Sequence, residues 1–148
     1  MAERIVIAVV IALVVAAAYG LLKRRQLTRV AKQAAADPLL REARPGVPAI
    51  VYFTTPNCAP CRLQQKPALV QLQEELGEGV QIIEVDAAEL PDDARRWGVF
   101  TAPTTFILNA EGVPYTVNHG VADARKLARQ VREAQSRLTH SELNTRPA

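Results

Sequence analysis

One α/β domain built around a mixed sheet, carried behind a single transmembrane helix, is the architecture that this 148-residue sequence predicts. Three observations predict it. Residues 5–22 form an apolar run without a charged side chain. After Pro48, short apolar runs of strand length alternate with segments of helical period. The length left over suits one compact domain with short tails.

As a helix, residues 5–22 would span about 27 Å at roughly 1.5 Å per residue, close to the ~30 Å hydrocarbon core of a bilayer. A cleaved signal peptide, with Arg4 as its basic start and Ala16-Ala17-Ala18 as its cleavage site, is the competing reading. No polar stretch precedes Ala18, and Lys23-Arg24-Arg25 follow at once, so the anchor is the preferred reading. Lys23, Arg24, Arg25, Arg29 and Lys32 lie on one side of it, with only Arg4 and the α-amino group on the other. By the positive-inside rule the chain is a single-pass membrane protein with its domain on the cytoplasmic face. Residues 1–4 are then a short N-terminus. Residues 23–46, basic, Ala-rich and broken by Pro38, Pro45 and Gly46, read as a linker or helical stalk that lifts the domain off the membrane.

Residues 47–138 hold the domain, and 139–148 are a polar tail. Ala49–Thr54 is a continuous apolar run between Pro48 and Pro56, hence a strand buried on both faces. Residues 59–76 follow as a helix, with Leu63, Leu69, Leu72 and Leu76 near helical spacing and Gly77 as its stop. A second buried strand is expected at 80–86, a short helix at 92–97 after Pro91, and a third strand at 104–108. Ala110-Glu111-Gly112 turns the chain into a fourth strand at 115–118. Residues 121–138 close the domain as an amphipathic helix with Leu127, Val131 and Leu138 inward. The order βαβαββα gives an α/β sandwich.

The chemistry concentrates at Cys58-Ala59-Pro60-Cys61, which joins the first strand to the first helix of the domain. These are the chain's only cysteines. A CxxC at such a junction reads as a redox pair, because the spacing allows a disulfide and a helix start favours thiolate. Lowering the Cys58 pKa from about 8.5 to about 7 requires roughly 2 kcal/mol, and a helix terminus supplies only ~0.3–1. The rest must come from N–H groups or the Cys61 thiol donating to the Cys58 sulfur, with a small contribution from Arg62. Structural zinc would need four ligands, and neither a second CxxC nor a paired-histidine motif is present. Inert core thiols would not need Pro60 at a helix start. The formal charge of +3 is concentrated beside the apolar segment, and neither a basic stripe with interleaved aromatics nor a phosphate loop is present, so nucleic acid is not an expected partner.

Residues 47–138 resemble the thioredoxin-like family, and the preceding segment resembles that of the membrane-tethered bacterial thioredoxins. Four features carry the match: Val51-Tyr52-Phe53 running into Cys58-Ala59-Pro60-Cys61-Arg62, Ile83-Glu84-Val85-Asp86, Trp97-Gly98-Val99 before Thr101-Ala102-Pro103-Thr104, and Gly120 before the last helix. The resemblance implies a three-layer sandwich on a four-stranded mixed sheet. It also implies dithiol–disulfide exchange with protein disulfides, with no cofactor and no metal, fed by a dithiol electron donor. Cys58 would attack and Cys61 resolve. Pro103 would be a cis-proline, with Ala102 offering its backbone to substrate, and Trp97 and Gly120 would join the substrate surface.

The sequence departs from the family pattern at several places. Tyr52 stands where the family has a buried acid, six residues before the first cysteine, and Ile82 where its lysine partner is expected. Losing both together avoids a buried unpaired charge. It leaves Cys61 without that proton acceptor, and a phenol is a poor base near neutral pH. Asn57 replaces the tryptophan before the motif, and the helical proline comes one place late, at Pro67, where it should kink the helix. Tyr115-Thr116-Val117-Asn118-His119 faintly resembles a stretch in copper-delivery relatives. A copper-binding chaperone using Cys58, Cys61 and His119 is therefore one alternative, although those relatives space their cysteines by three residues. A tethered binding module with a regulatory disulfide is the other. Trp97 and Phe100 otherwise read as core or rim aromatics.

Overall fold

The computed structural model describes residues 2–34, 37–41 and 43–143. Helix α1 (Ala2–Ala34) leads, through a single 3-10 turn at Pro38–Leu40, to strand β1 (Ala49–Thr54). Then follow a π-helical turn (Cys61–Gln65), α2 (Lys66–Leu76), β2 (Gln81–Asp86), α3 (Pro91–Arg96), β3 (Thr104–Leu108), β4 (Pro114–His119) and α4 (Ala124–Leu143). The sheet order is β2-β1-β3-β4, with β1 parallel to β2 and antiparallel to β3, and β4 antiparallel to β3. This is the α/β sandwich expected from the element order, with the four-stranded mixed sheet that the family resemblance implies.

β1 is buried on both faces because helices cover both, and its side chains alternate between two cores. Ile50 and Tyr52 pack with Leu69 and Leu72 of α2 and Leu127 and Val131 of α4. Val51 and Phe53 pack on the other face with Trp97, Phe106 and Val30. Leu138 lies among the residues whose side chains are outside the described set.

Two expectations change in the helix after the cysteines. Leu63 is 74% exposed, and Gln65 takes the buried place instead. The reason is the wide turn: the Lys66 N–H donates to Cys61 O, five residues back, which shifts the phase of the side chains. Pro67 has no N–H for the carbonyl of residue 63, so the kink expected there is accommodated as a π turn.

The third concerns residues 23–46. α1 continues without a break through Lys23, and its last turns lie on the domain. Val30 is buried in the second core, and Gln26 Nε2 donates to Trp97 O at 2.9 Å and Gly98 O at 2.8 Å. Asp37, after the helix, is buried and accepts from Leu39 N at 3.0 Å and from Trp97 Nε1 at 3.1 Å. Much of the expected linker is thus part of the second layer of helices. The N-terminal part of α1 remains exposed, and the helix over Glu3–Lys32 contains a stretch long and apolar enough to cross a membrane.

Candidate redox site

The end of β1 delivers the cysteines. After Thr54 the chain turns, the Cys58 N–H donates to Thr55 O at 3.2 Å, and the helical run begins with the Arg62 N–H donating to Cys58 O at 3.3 Å. Cys58 and Cys61 are joined as a disulfide with Cα atoms 5.2 Å apart. Cys58 is 8% exposed and Cys61 1%, so the first cysteine is the more accessible of the two. The Cys61 N–H donates to Cys58 Sγ at 3.2 Å. A donor on that sulfur supplies part of the thiolate stabilisation that the helix terminus alone does not.

Ala102, near the end of the loop of residues 98–103, packs against the core cluster that holds both cysteines. The Ala102–Pro103 peptide bond is cis. Thr104 Oγ1 donates to Thr101 O at 2.7 Å, and the Gly120 N–H donates to Pro103 O at 2.8 Å, which ties this loop to the end of β4. Gly120 has φ +88°, a left-handed conformation that glycine adopts without penalty. Below the cysteines, Gln65 is fully buried and pins the loop before α4: its Nε2 donates to Ala122 O at 3.1 Å and its Oε1 accepts from Ala122 N at 2.8 Å. Sequence reasoning missed Gln65, because a glutamine at a helix position carries no outward sign of burial.

Tyr52 is 1% exposed, and its hydroxyl donates to Cys61 O at 3.4 Å. Burial pushes its phenol pKa up, so it is a proton donor and not a base. Ile82 packs against the same core cluster as Tyr52, one same-face step away along the register. In the β1–β2 register Ile50 pairs with Ile82, and Tyr52 pairs with Glu84, which forms a salt bridge with Lys66 at 3.1 Å. The residue across the sheet from Tyr52 is therefore an acid.

Of the two aromatics read as core or rim, Trp97 lies in the core and away from the substrate surface that the resemblance implied for it: it is 1% exposed, with its ring 5.0 Å from Phe106 and 5.8 Å from Phe53. Phe100, expected in the core or its rim, is 90% exposed. Gly98, with φ +65°, turns the chain between them and brings its backbone against Gln26. His119 is exposed at the end of β4, in register with Thr104. Partial burial and then the charge of Lys23 hold its pKa below the usual value. Among the described residues no group of three His, Cys, Asp or Glu side chains is placed to hold a metal ion, so the copper reading gains no site.

Comparison with known proteins agrees with this geometry. A family model, Thioredoxin, matches residues 32–133. Thioredoxin Y, chloroplastic, of Oryza sativa subsp. japonica is 30% identical over 98 residues, covering 66% of this chain and 56% of the relative. Thioredoxin of Bacillus subtilis is 34% identical over 56 residues, covering 38% of this chain and 53% of the relative. The chain thus spans about half the length of these curated relatives. The solution structure of a thioredoxin-like protein from Clostridium perfringens superposes with a TM-score of 0.55 at 26% identity, covering 64% of this chain and 76% of that one.

Proposed function

The chain belongs to the thioredoxin family, and from that premise we propose that it is a membrane-anchored dithiol–disulfide oxidoreductase acting on protein disulfides. The observation that carries this reading is the Cys58–Cys61 disulfide at the start of a helical run, with the Cys61 N–H on Cys58 Sγ and only the first cysteine partly exposed. In the reducing direction, the Cys58 thiolate attacks one sulfur of a substrate disulfide. That bond breaks, a mixed disulfide forms, and the departing substrate sulfur takes a proton. Cys61, losing its proton, then attacks Cys58 Sγ. The second substrate thiol leaves, and the two electrons have passed from the dithiol to the substrate. A dithiol donor restores the reduced pair. Ala102 and Gly120 flank the site where an extended substrate segment would lie beside Pro103.

Residues 5–22 serve as the anchor in this proposal. The cations at 23–32 favour a cytoplasmic domain, where reducing systems keep such pairs as dithiols. Two variants and one reagent test these points. Cys61→Ser should accumulate a mixed disulfide with cellular proteins, and Cys58→Ser should form none and lose insulin reduction. Retained insulin reduction in Cys58→Ser would refute the assignment of roles. In intact cells a membrane-impermeant maleimide should leave the reduced pair unlabelled until the membrane is opened; labelling beforehand would place the domain outside.

A further inference from the structure

Helix α1 carries one face from the apolar segment onto the domain. Tyr19, Leu22, Lys23, Gln26, Arg29 and Val30 recur at helical spacing, and Gln26 and Val30 are the residues that fasten it to the Trp97–Gly98 turn and the second core. Gln26 follows Leu22 by four residues, about 6 Å along the axis. The headgroup layer on each side of a bilayer is roughly 5–7 Å deep. With residues 5–22 as the anchor, the domain is therefore held at headgroup depth.

At that depth the helix and the turn enclose a cleft of about 400 Å³. Tyr19, Leu22 and Phe100 give it apolar lining and Lys23, Arg25 and Arg29 positive charge, with no carboxylate side chain among the lining residues. Among the described residues those three cations take part in no ion pair, whereas Arg96, also at the cleft, is paired with Asp37 and Asp93. Phe100 presents its ring almost entirely to the surroundings. Uncompensated positive charge and an open apolar wall meet in one cleft that adjoins the bilayer.

We propose that this cleft binds an anionic phospholipid of the adjoining leaflet, its phosphate held by Lys23, Arg25 and Arg29 and the upper part of its acyl chains lying against Tyr19, Leu22 and Phe100. The proposal rests on the anchor reading of residues 5–22. Its consequence is that the loop running from Phe100 to Pro103 is fixed at the membrane surface, which favours substrates whose disulfides lie close to that surface. Each basic side chain at an anionic surface contributes about fivefold in affinity, so three give about 100-fold.

The test uses the full chain in lipid nanodiscs, with Phe100→Trp as a reporter beside the buried native Trp97. Brominated phosphatidylglycerol, titrated into zwitterionic discs, should quench the added tryptophan at low mole fraction. Brominated phosphatidylcholine should need at least tenfold more. The variant Lys23→Gln/Arg25→Gln/Arg29→Gln should lose that preference. Equal quenching by the two lipids, or a reporter fully open to aqueous acrylamide in anionic discs, overturns the lipid site. A chain that elutes apart from the discs refutes the anchor instead, and the lipid site with it.

Discussion

Replacing Tyr52 by aspartate restores the family's acid without its partner, and the cost can be worked from the site. Tyr52 is fully packed between α2 and α4. Truncating a buried aromatic costs about 3–5 kcal/mol. A buried carboxyl whose pKa rises from about 3.9 to near 7 adds about 4 kcal/mol at pH 7. The sum, about 7–9 kcal/mol, falls within the total stability of a typical domain, so Tyr52→Asp should be largely unfolded at neutral pH. Because the folded pKa is raised, the ionisation part of the penalty is absent below about pH 4 and grows as pH rises through the window up to the folded pKa. Relative to the parent, then, the variant should recover on acidification, though only by that part.

The register gives the sharper test. Glu84 stands beside position 52 and would repel a second carboxylate, whereas Ile82 stands beside Ile50. Glu84→Lys, at a half-exposed position, should therefore rescue Tyr52→Asp by about 1 kcal/mol, and Ile82→Lys, opposite Ile50, by less. Tyr52→Phe, which loses only a long hydrogen bond, should cost about 0.5 kcal/mol. Urea unfolding of the full chain in detergent micelles, followed through its sole tryptophan, reads all four variants. Equal rescue by Ile82→Lys, or a parental midpoint for Tyr52→Asp, would refute the reasoning.

Gln65→Ala should destabilise by about 2–6 kcal/mol in the same assay, since it orphans both the N–H and the C=O of buried Ala122 at about 1–3 kcal/mol each; a loss under about 1 kcal/mol would show that water replaces the amide. His119 should titrate below the ordinary histidine midpoint of about 6.5 by proton NMR, and Lys23→Gln should raise that midpoint. With its folded pKa depressed, His119 makes stability fall as pH drops below the unfolded value and through the folded one. His119→Gln should remove that slope, and an unchanged slope would assign it to other groups.

The two central strands were legible because burial on both faces leaves a continuous apolar run, and Ala49–Thr54 and Thr104–Leu108 lie where those runs do, whereas β2, expected to be buried, is an edge strand with only Val85 fully covered. The cysteine pair was legible because its position between strand and helix is a local pattern. What escaped depends on geometry beyond the local chain. Ile82 and Glu84 sit two apart on one strand and so share a face, and only the pairing of β2 with β1 decides which of them stands opposite Tyr52. Leu63 and Gln65 exchanged burial because a single wide turn rotated the helix. Trp97 stays in the core and Phe100 leaves it because Gly98 turns the chain between them, and a hydrophobicity pattern does not register the sign of φ.

The end of α1 poses the same problem on a larger scale. Its apolar run announces a membrane helix, and the cations after it read as the point where structure gives way to a linker. Yet the second core needs a cover over Phe53, Trp97 and Phe106, and Val30 and Leu27 supply part of it from the continuation of that helix. A helix uninterrupted by proline or glycine after Gly20 transmits its orientation, so the packing of Gln26 on Gly98 fixes the domain relative to residues 5–22. That rigidity makes Gly98→Ala informative: a Cβ there would lie 3.2 Å from Gln26 Nε2 and would also be strained at φ +65°. The substitution should loosen the helix from the domain before it unfolds the sheet. Amide exchange would then rise first at residues 26–34 while β1 and β3 stay protected, and simultaneous exposure of all three would show that the helix end is no separate unit.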